Sequence, residues 1–114
     1  MTLEEYQKRA MTTCMASSEN FSYMFLNLVG EVGEFASKVA KAIRKEENCI
    51  EYNDLGVTVT KNEELQKEAG DILWQLSGLC TVMGWKLEDI AQQNLDKLAS
   101  RQQRNVIDGS GDNR

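Results

Sequence analysis

The 114-residue chain contains no histidine and no proline. Without histidine, Ser–His and Cys–His nucleophilic catalysis and every histidine-ligated metal site are excluded. Without proline, long uninterrupted helices are unopposed. Cysteine is scarce. Cys14, Cys49 and Cys80 are odd in number, widely spaced and form no CxxC pair. That pattern indicates neither a disulfide framework nor a zinc site, and fits thiols in a reducing cytoplasm. No run approaches the ~20 apolar residues of a membrane span, and the opening MTLEEYQKRAM lacks the apolar core of a signal peptide. A basic excess is missing too. The net charge of −5 gives no general footprint for polymeric nucleic acid or an anionic membrane.

What the chain has is helical periodicity, enough for one domain. The pattern predicts four helices. The first spans about Thr2 to Ala16, with Leu3, Tyr6, Ala10 and Met11 on one face and a Thr2/Glu5 capping box. The polar run Ser17, Ser18, Glu19, Asn20 ends it and caps the next. The second spans about Asn20 to Glu47, its seam formed by Phe25, Leu28, Val32, Phe35, Val39 and Ala42. Val29, Ala36, Ala40 and Ile43 widen that face beyond what one small neighbour covers, which predicts a subunit interface. From Asn48 to Val59 the period is lost, and CIEYNDLGVTV reads as a loop or short hairpin. Thr60 with Glu63 opens a third helix, whose apolar face is Leu65, Ala69, Ile72, Leu76, Leu79 and Met83, and Gly84 ends it. A fourth helix runs from about Leu87 to Asn105. Ile90, Leu95 and Leu98 offer packing residues, and Asn94, Lys97 and Arg101 align along it.

Two acidic pairs interrupt this apolar periodicity: Glu31 with Glu34, and Glu68 with Asp71. Three residues along a helix is about 4.5 Å of rise and about 300° of rotation, so each pair lies on one face. Each also borders a packing seam, so antiparallel packing of the second and third helices makes the pairs face one another. The bland reading, a solvated helix face, suits one such pair better than two. Two carboxylates at 4 Å repel by about 4 kcal/mol at an effective dielectric of 20, which demands raised pKa values or a cation. All-oxygen donors select magnesium, calcium or manganese. Gly30, Gly33 and Gly70 sit beside these acids. Each costs about 1 kcal/mol in a helix interior, which implies close helix approach or ligand access.

The segments LVGEVGEFASKVAKAIRK, ELQKEAGDILWQLSGL and GWKLEDIAQQNLDKLASR, with the ending GSGDNR, resemble the MazG-like nucleoside triphosphate pyrophosphohydrolases of the all-α NTP pyrophosphatase superfamily. The resemblance spans Leu3 to Arg114, and the family's ExxE…ExxD signature is met by Glu31, Glu34, Glu68 and Asp71. It implies an all-α, four-helix bundle-like fold over residues 1–107, with a Gly-rich polar tail over 108–114. The segment between the acidic pairs is longer than in compact members of the family, which affects the loop expected to set specificity.

The implied activity is Mg2+-dependent cleavage of a (deoxy)nucleoside triphosphate to the monophosphate and pyrophosphate, with Mn2+ as a substitute, in nucleotide-pool cleansing by a cytoplasmic dimer or tetramer. Glu31, Glu34, Glu68 and Asp71 would hold the metal, with Glu34 favoured to activate water. Substrate contacts are expected from Asn27, Lys38, Asn94, Lys97, Arg101 and Arg114. Phe21, Tyr23, Phe25 and Trp74 are candidates to stack on a base, although aromatics at helical spacing more often pack in a core. The alternative is a non-catalytic nucleotide-binding or protein-interaction module on the same fold. A carboxylate-bridged di-iron bundle needs Glu-x-x-His motifs, which a chain without histidine lacks.

Overall fold

The computed structural model describes residues 1–45, 50–53, 56–59 and 62–112. Four helices carry the fold: α1 (Leu3–Met11), α2 (Phe21–Arg44), α3 (Asn62–Val82) and α4 (Leu87–Gln103). A 3₁₀ turn, Ala16–Ser18, separates α1 from α2. Between α2 and α3 lies an antiparallel hairpin of β1 (Ile50–Asn53) and β2 (Gly56–Val59), with Ile50 opposite Val59 and Asn53 opposite Gly56. The expected all-α architecture with a short hairpin is thus present. Among the described residues, no helix is long and apolar enough to cross a membrane.

Local chemistry sets the helix ends. The Thr2 hydroxyl accepts from Glu5 N at 3.0 Å, and the Asn20 side chain accepts from Tyr23 N at 2.8 Å, each satisfying an otherwise orphaned donor. Gly84, at φ 72°, ends α3: Trp85 N bonds Cys80 O at 2.7 Å and Gly84 N bonds Thr81 O at 3.1 Å, a Schellman arrangement that only a left-handed residue permits. Asn105, at φ 60°, ends α4 the same way through Val106 N on Arg101 O.

The first helix stops at Met11, short of the expected Ala16. Thr12 and Thr13 turn their hydroxyls onto the carbonyls of Arg9 and Ala10, at 2.6 and 2.7 Å, and this back-bonding competes with continuation of the helix. The second helix ends at Arg44 with Lys45 as its cap; residues 46–49, which include the expected end at Glu47, and Thr60 of the expected capping box lie outside the described residues.

Antiparallel α2 and α3 form the main contact, with α1 laid on α3 and α4 on α1. The α2 seam differs from expectation by rotation. Met24 and Ala42 are buried and Leu28, Phe35 and Val39 half-buried, whereas Phe25 and Val32 face outward. Periodicity cannot distinguish adjacent apolar positions; the shape of the partner helix does. Met24, fully buried, fills the space above Gly78, where a Cβ would overlap its Sδ and lie 2.7 Å from its Cε. The close helix approach therefore occurs at Gly78. At Gly33 and Gly70 an added Cβ meets nothing within 4 Å, so those glycines leave open space beside the acids. Gly78→Ala is expected to lower stability by about 1–2 kcal/mol, overpacking outweighing about 1 kcal/mol of helix propensity. Urea midpoints test this, and Met24→Ala in the same chain should relieve the clash.

α3 also departs from its expected face. Leu65 is buried and Ile72, Leu76 and Leu79 half-buried, but Ala69 and Met83 are exposed, while Glu68, Gln75, Ser77 and Cys80 are buried. On α4, Leu87 and Arg101 are buried, but Leu95 and Leu98 remain exposed. Gln7 joins three elements: its amide nitrogen donates to Thr81 Oγ1 and Trp85 O, both at 3.0 Å, and its oxygen accepts from Leu87 N at 2.8 Å. It thereby serves one of the free N–H groups at the start of α4. Cys14 and Cys80 are free thiols, and Cys49 lies outside the described residues.

Candidate metal and nucleotide site

The α2–α3 contact is a ladder in which each step up one helix matches a step down the other. Met24 meets Gly78; Asn27 Nδ2 donates to Gln75 Oε1 at 2.8 Å; Glu31 meets Asp71 and Glu68; Lys38 Nζ pairs with Glu68 Oε1 at 3.0 Å. The polar rungs sit within an otherwise packed interface because the acids replace apolar residues at seam positions. One oxygen from each of Glu31, Glu68 and Asp71 lies within 4.8 Å of the others. Glu68 is buried, Glu31 half-buried and Asp71 exposed, so the cluster opens from the interface toward solvent. Glu34 stands at its edge, exposed, with its side chain hydrogen-bonded to Glu31.

The electrostatics of the cluster favour a cation. Burial first, then repulsion from Glu34, Asp71 and Glu68, pushes the Glu31 carboxyl above the ordinary glutamate range. Glu31 Oε2 and Glu68 Oε2 are buried and have no hydrogen-bond partner. Orphaned buried carboxylate oxygens are costly, and a divalent ion of the hard, oxygen-preferring class satisfies both the charge and the lone pairs. The donor set therefore fits a divalent cation of that class. Lys38 offsets part of the charge: its hydrogen bond to Glu68 raises its own pKa, yet its side chain stays 43% exposed, so its ammonium faces solvent at the mouth of the cluster.

The other expected contacts fall in different places. Asn27 sits on the rung next to Glu31, but Gln75 holds its amide. Gln75 is buried on the face of α3 that carries Glu68. Its spacing from Asp71, one turn along, was the available signal. Lys97 and Arg101 pair with Asp112 of the tail, while Asn94 joins Ile90, Gln93 and Lys97 around an open depression of about 260 Å³. Arg114 lies outside the described residues.

Among the candidate base-stacking aromatics, Trp74 is a packing residue. Its indole donates to Ala10 O and Thr13 Oγ1, both at 3.1 Å, tying α1 to α3. Phe21 and Phe25 stack on each other at 5.7 Å, and both are exposed, as is Tyr23. Tyr6 was not anticipated as a site residue. Burial and the neighbouring Asp71 carboxylate raise its phenol pKa. It also lines an open groove of about 640 Å³ with Met1, Arg9, Ala10 and Thr12. Tyr6 was legible only as an apolar-face residue of the first helix, because its proximity to Asp71 depends on how α1 crosses α3.

Comparison with known proteins gives three findings. Residues 19–106 match the family model described as the MazG nucleotide pyrophosphohydrolase domain. A protein of Mycobacterium phage L5, named only as the Gene 37 protein, is 42% identical over 98 residues, covering 86% of this chain and 80% of its own. No solved structure matches.

Proposed function

The chain belongs to the MazG nucleotide pyrophosphohydrolase family, and from that premise we propose that it hydrolyses a (deoxy)nucleoside triphosphate to the monophosphate and pyrophosphate with Mg2+. The observation that carries the reading is the meeting of Glu31, Glu68 and Asp71 from two helices, with two buried carboxylate oxygens left unpaired. Glu31, Glu68 and Asp71 would hold the metal, with Glu34 completing the set from its edge. A bound divalent ion polarises phosphate oxygens and lowers the pKa of water.

The chain's own residues do the rest. Glu34, exposed and already sharing a proton-mediated contact with Glu31, is placed to orient or deprotonate the water that attacks the α–β anhydride. The new P–O bond goes to the nucleoside monophosphate, and pyrophosphate leaves with the electron pair of the broken bond. Lys38, paired with Glu68 and partly exposed at the mouth of the cluster, is placed to meet a phosphate oxygen. Asn27, its amide orientation set by Gln75, reads a sugar or base edge. Asn94, Lys97, Arg101 and Arg114 meet phosphate or sugar, and the open groove lined by Tyr6 and Arg9 offers a place for the nucleoside.

Association of chains is part of the same reading. Phe21, Phe25, Val29, Val32 and Ile43 leave an apolar stripe exposed along α2, a kind of patch that marks contact surfaces. We assign it to a homo-oligomer interface.

A panel of ribo- and deoxynucleoside triphosphates, assayed for pyrophosphate release by the full chain, tests the activity. Release is expected with Mg2+ or Mn2+ and should be abolished by EDTA and restored by readdition of metal. Absence of release across the whole panel would leave a nucleotide-binding module in its place.

A further inference from the structure

The C-terminal tail carries an acid where a phosphate would be expected. After Asn105 reverses the chain at the end of α4, residues 106–112 run back toward that helix. Lys97 Nζ and Arg101 Nη2 both donate to one oxygen, Asp112 Oδ1, at 3.1 and 3.2 Å, and Arg101 Nη2 also reaches Gly111 O at 3.3 Å. Arg101 is only 4% exposed, so this is a built cation, held by its surroundings, rather than a free surface arginine. Its Nε is buried with no hydrogen-bond partner. Nε and Nη2 share one edge of the guanidinium, the edge that grips carboxylates and phosphates in a two-pronged fashion. Asp112 uses only half of that edge. Its side chain is 83% exposed, so it lies over the cations from the solvent side and can leave without disturbing the core. A phosphate group offers more acceptor oxygens than the single one Asp112 uses, and can take Lys97 Nζ, Nη2 and Nε together.

We propose that Asp112 is a built-in competing anion, a latch that occupies the Lys97–Arg101 oxyanion site until a phosphate group of the nucleotide or of pyrophosphate displaces it. The inference rests on reading Lys97 and Arg101 as phosphate contacts. The latch offsets part of the charge of the Lys97–Arg101 pair while the site is idle. Its cation partners also hold the Asp112 carboxyl below the ordinary aspartate range, so the latch is charged at neutral pH.

The test is calorimetric binding of inorganic pyrophosphate to the full chain in EDTA, where no metal bridges the probe to the acids and no turnover is needed. Exposed ion pairs are weak, so removing the competitor in Asp112→Asn should tighten pyrophosphate binding by about one-and-a-half- to five-fold. Asp112→Glu should bind like the wild type. Lys97→Ala should weaken binding, and adding Asp112→Asn to it should recover less than the same change gives in the wild-type background. Equal or weaker binding by Asp112→Asn, an undiminished gain without Lys97, or no binding by any variant overturns the latch. Failure of the activity itself is read separately, as absence of pyrophosphate release with Mg2+, and leaves the metal-free binding series to stand or fall alone.

Discussion

Glu31→Gln is expected to abolish pyrophosphate release while raising the melting temperature of the metal-free protein. The two effects have opposite sign because Glu31 serves function against the local electrostatics. Its carboxylate is pressed by burial and by Glu34, Asp71 and Glu68, and one oxygen lacks a partner. A neutral amide of the same shape removes the repulsion and gains a donor toward its acidic neighbours, so the fold should gain a few degrees. The same change deletes a charged metal ligand. Loss of metal-assisted charge stabilisation is worth several kcal/mol, and each 1.36 kcal/mol is tenfold in rate, so turnover should fall by about a thousandfold.

Glu68→Gln supplies the contrast. It should lose activity to the same degree without the stability gain, because Glu68 is the group that Lys38 pairs with. The pH dependence follows in sign. A carboxyl whose folded pKa lies above its unfolded value stabilises the proton-bound native state, so the metal-free protein should lose stability as pH rises from the ordinary glutamate range through the raised folded value. Mg2+ should cancel that loss, and Glu31→Gln should remove it. Thermal melts with and without EDTA across pH 4–8, beside a pyrophosphate assay, check all of these outcomes. A Glu31→Gln protein that melts lower, or that turns over normally, contradicts the site.

What could be read from the residues alone was whatever is encoded locally. Thr2, Asn20 and Gly84 cap or end helices through bonds within a few residues, so their roles were legible. The two acidic pairs were legible because a charge inside an apolar period has few structural uses. The rotation of α2 was not: Met24 and Phe25 are adjacent and both apolar, and only Gly78, more than fifty residues away, selects Met24 for the interface. The same holds for Gln7, Gln75 and Asp112. Each is a polar residue in a polar-tolerant position whose meaning comes from a partner on another element or beyond a chain reversal. Lys38 falls between the two cases. Its place one turn beyond Glu34 was visible, but its bond to Glu68 requires the helix pairing.

A charge introduced at Val32 should convert the proposed oligomer to monomers. On α2, Phe21, Phe25, Val29, Val32 and Ile43 recur on one line, roughly 100° around the helix from the Met24–Glu31–Ala42 face that meets α3, and all remain substantially exposed. The two faces are thus independent, and an outward substitution leaves the metal ladder in place. In a twofold interface each substitution counts twice. Burying a valine contributes about 1.5–3 kcal/mol, and an unpaired lysine in an apolar contact adds a further penalty. Val32→Lys should therefore weaken association by well over a hundredfold, since 1.4 kcal/mol is tenfold. Sedimentation at micromolar concentration should show a dimer or larger species for the wild type and a monomer for Val32→Lys, with helicity and the Gly78–Met24 packing unchanged. Because the stripe and the Glu31 face of α2 are independent, metal binding should be unaltered in Val32→Lys. A wild-type chain that sediments as a fully active monomer would remove the interface, and with it the reason for an apolar α2 surface in water.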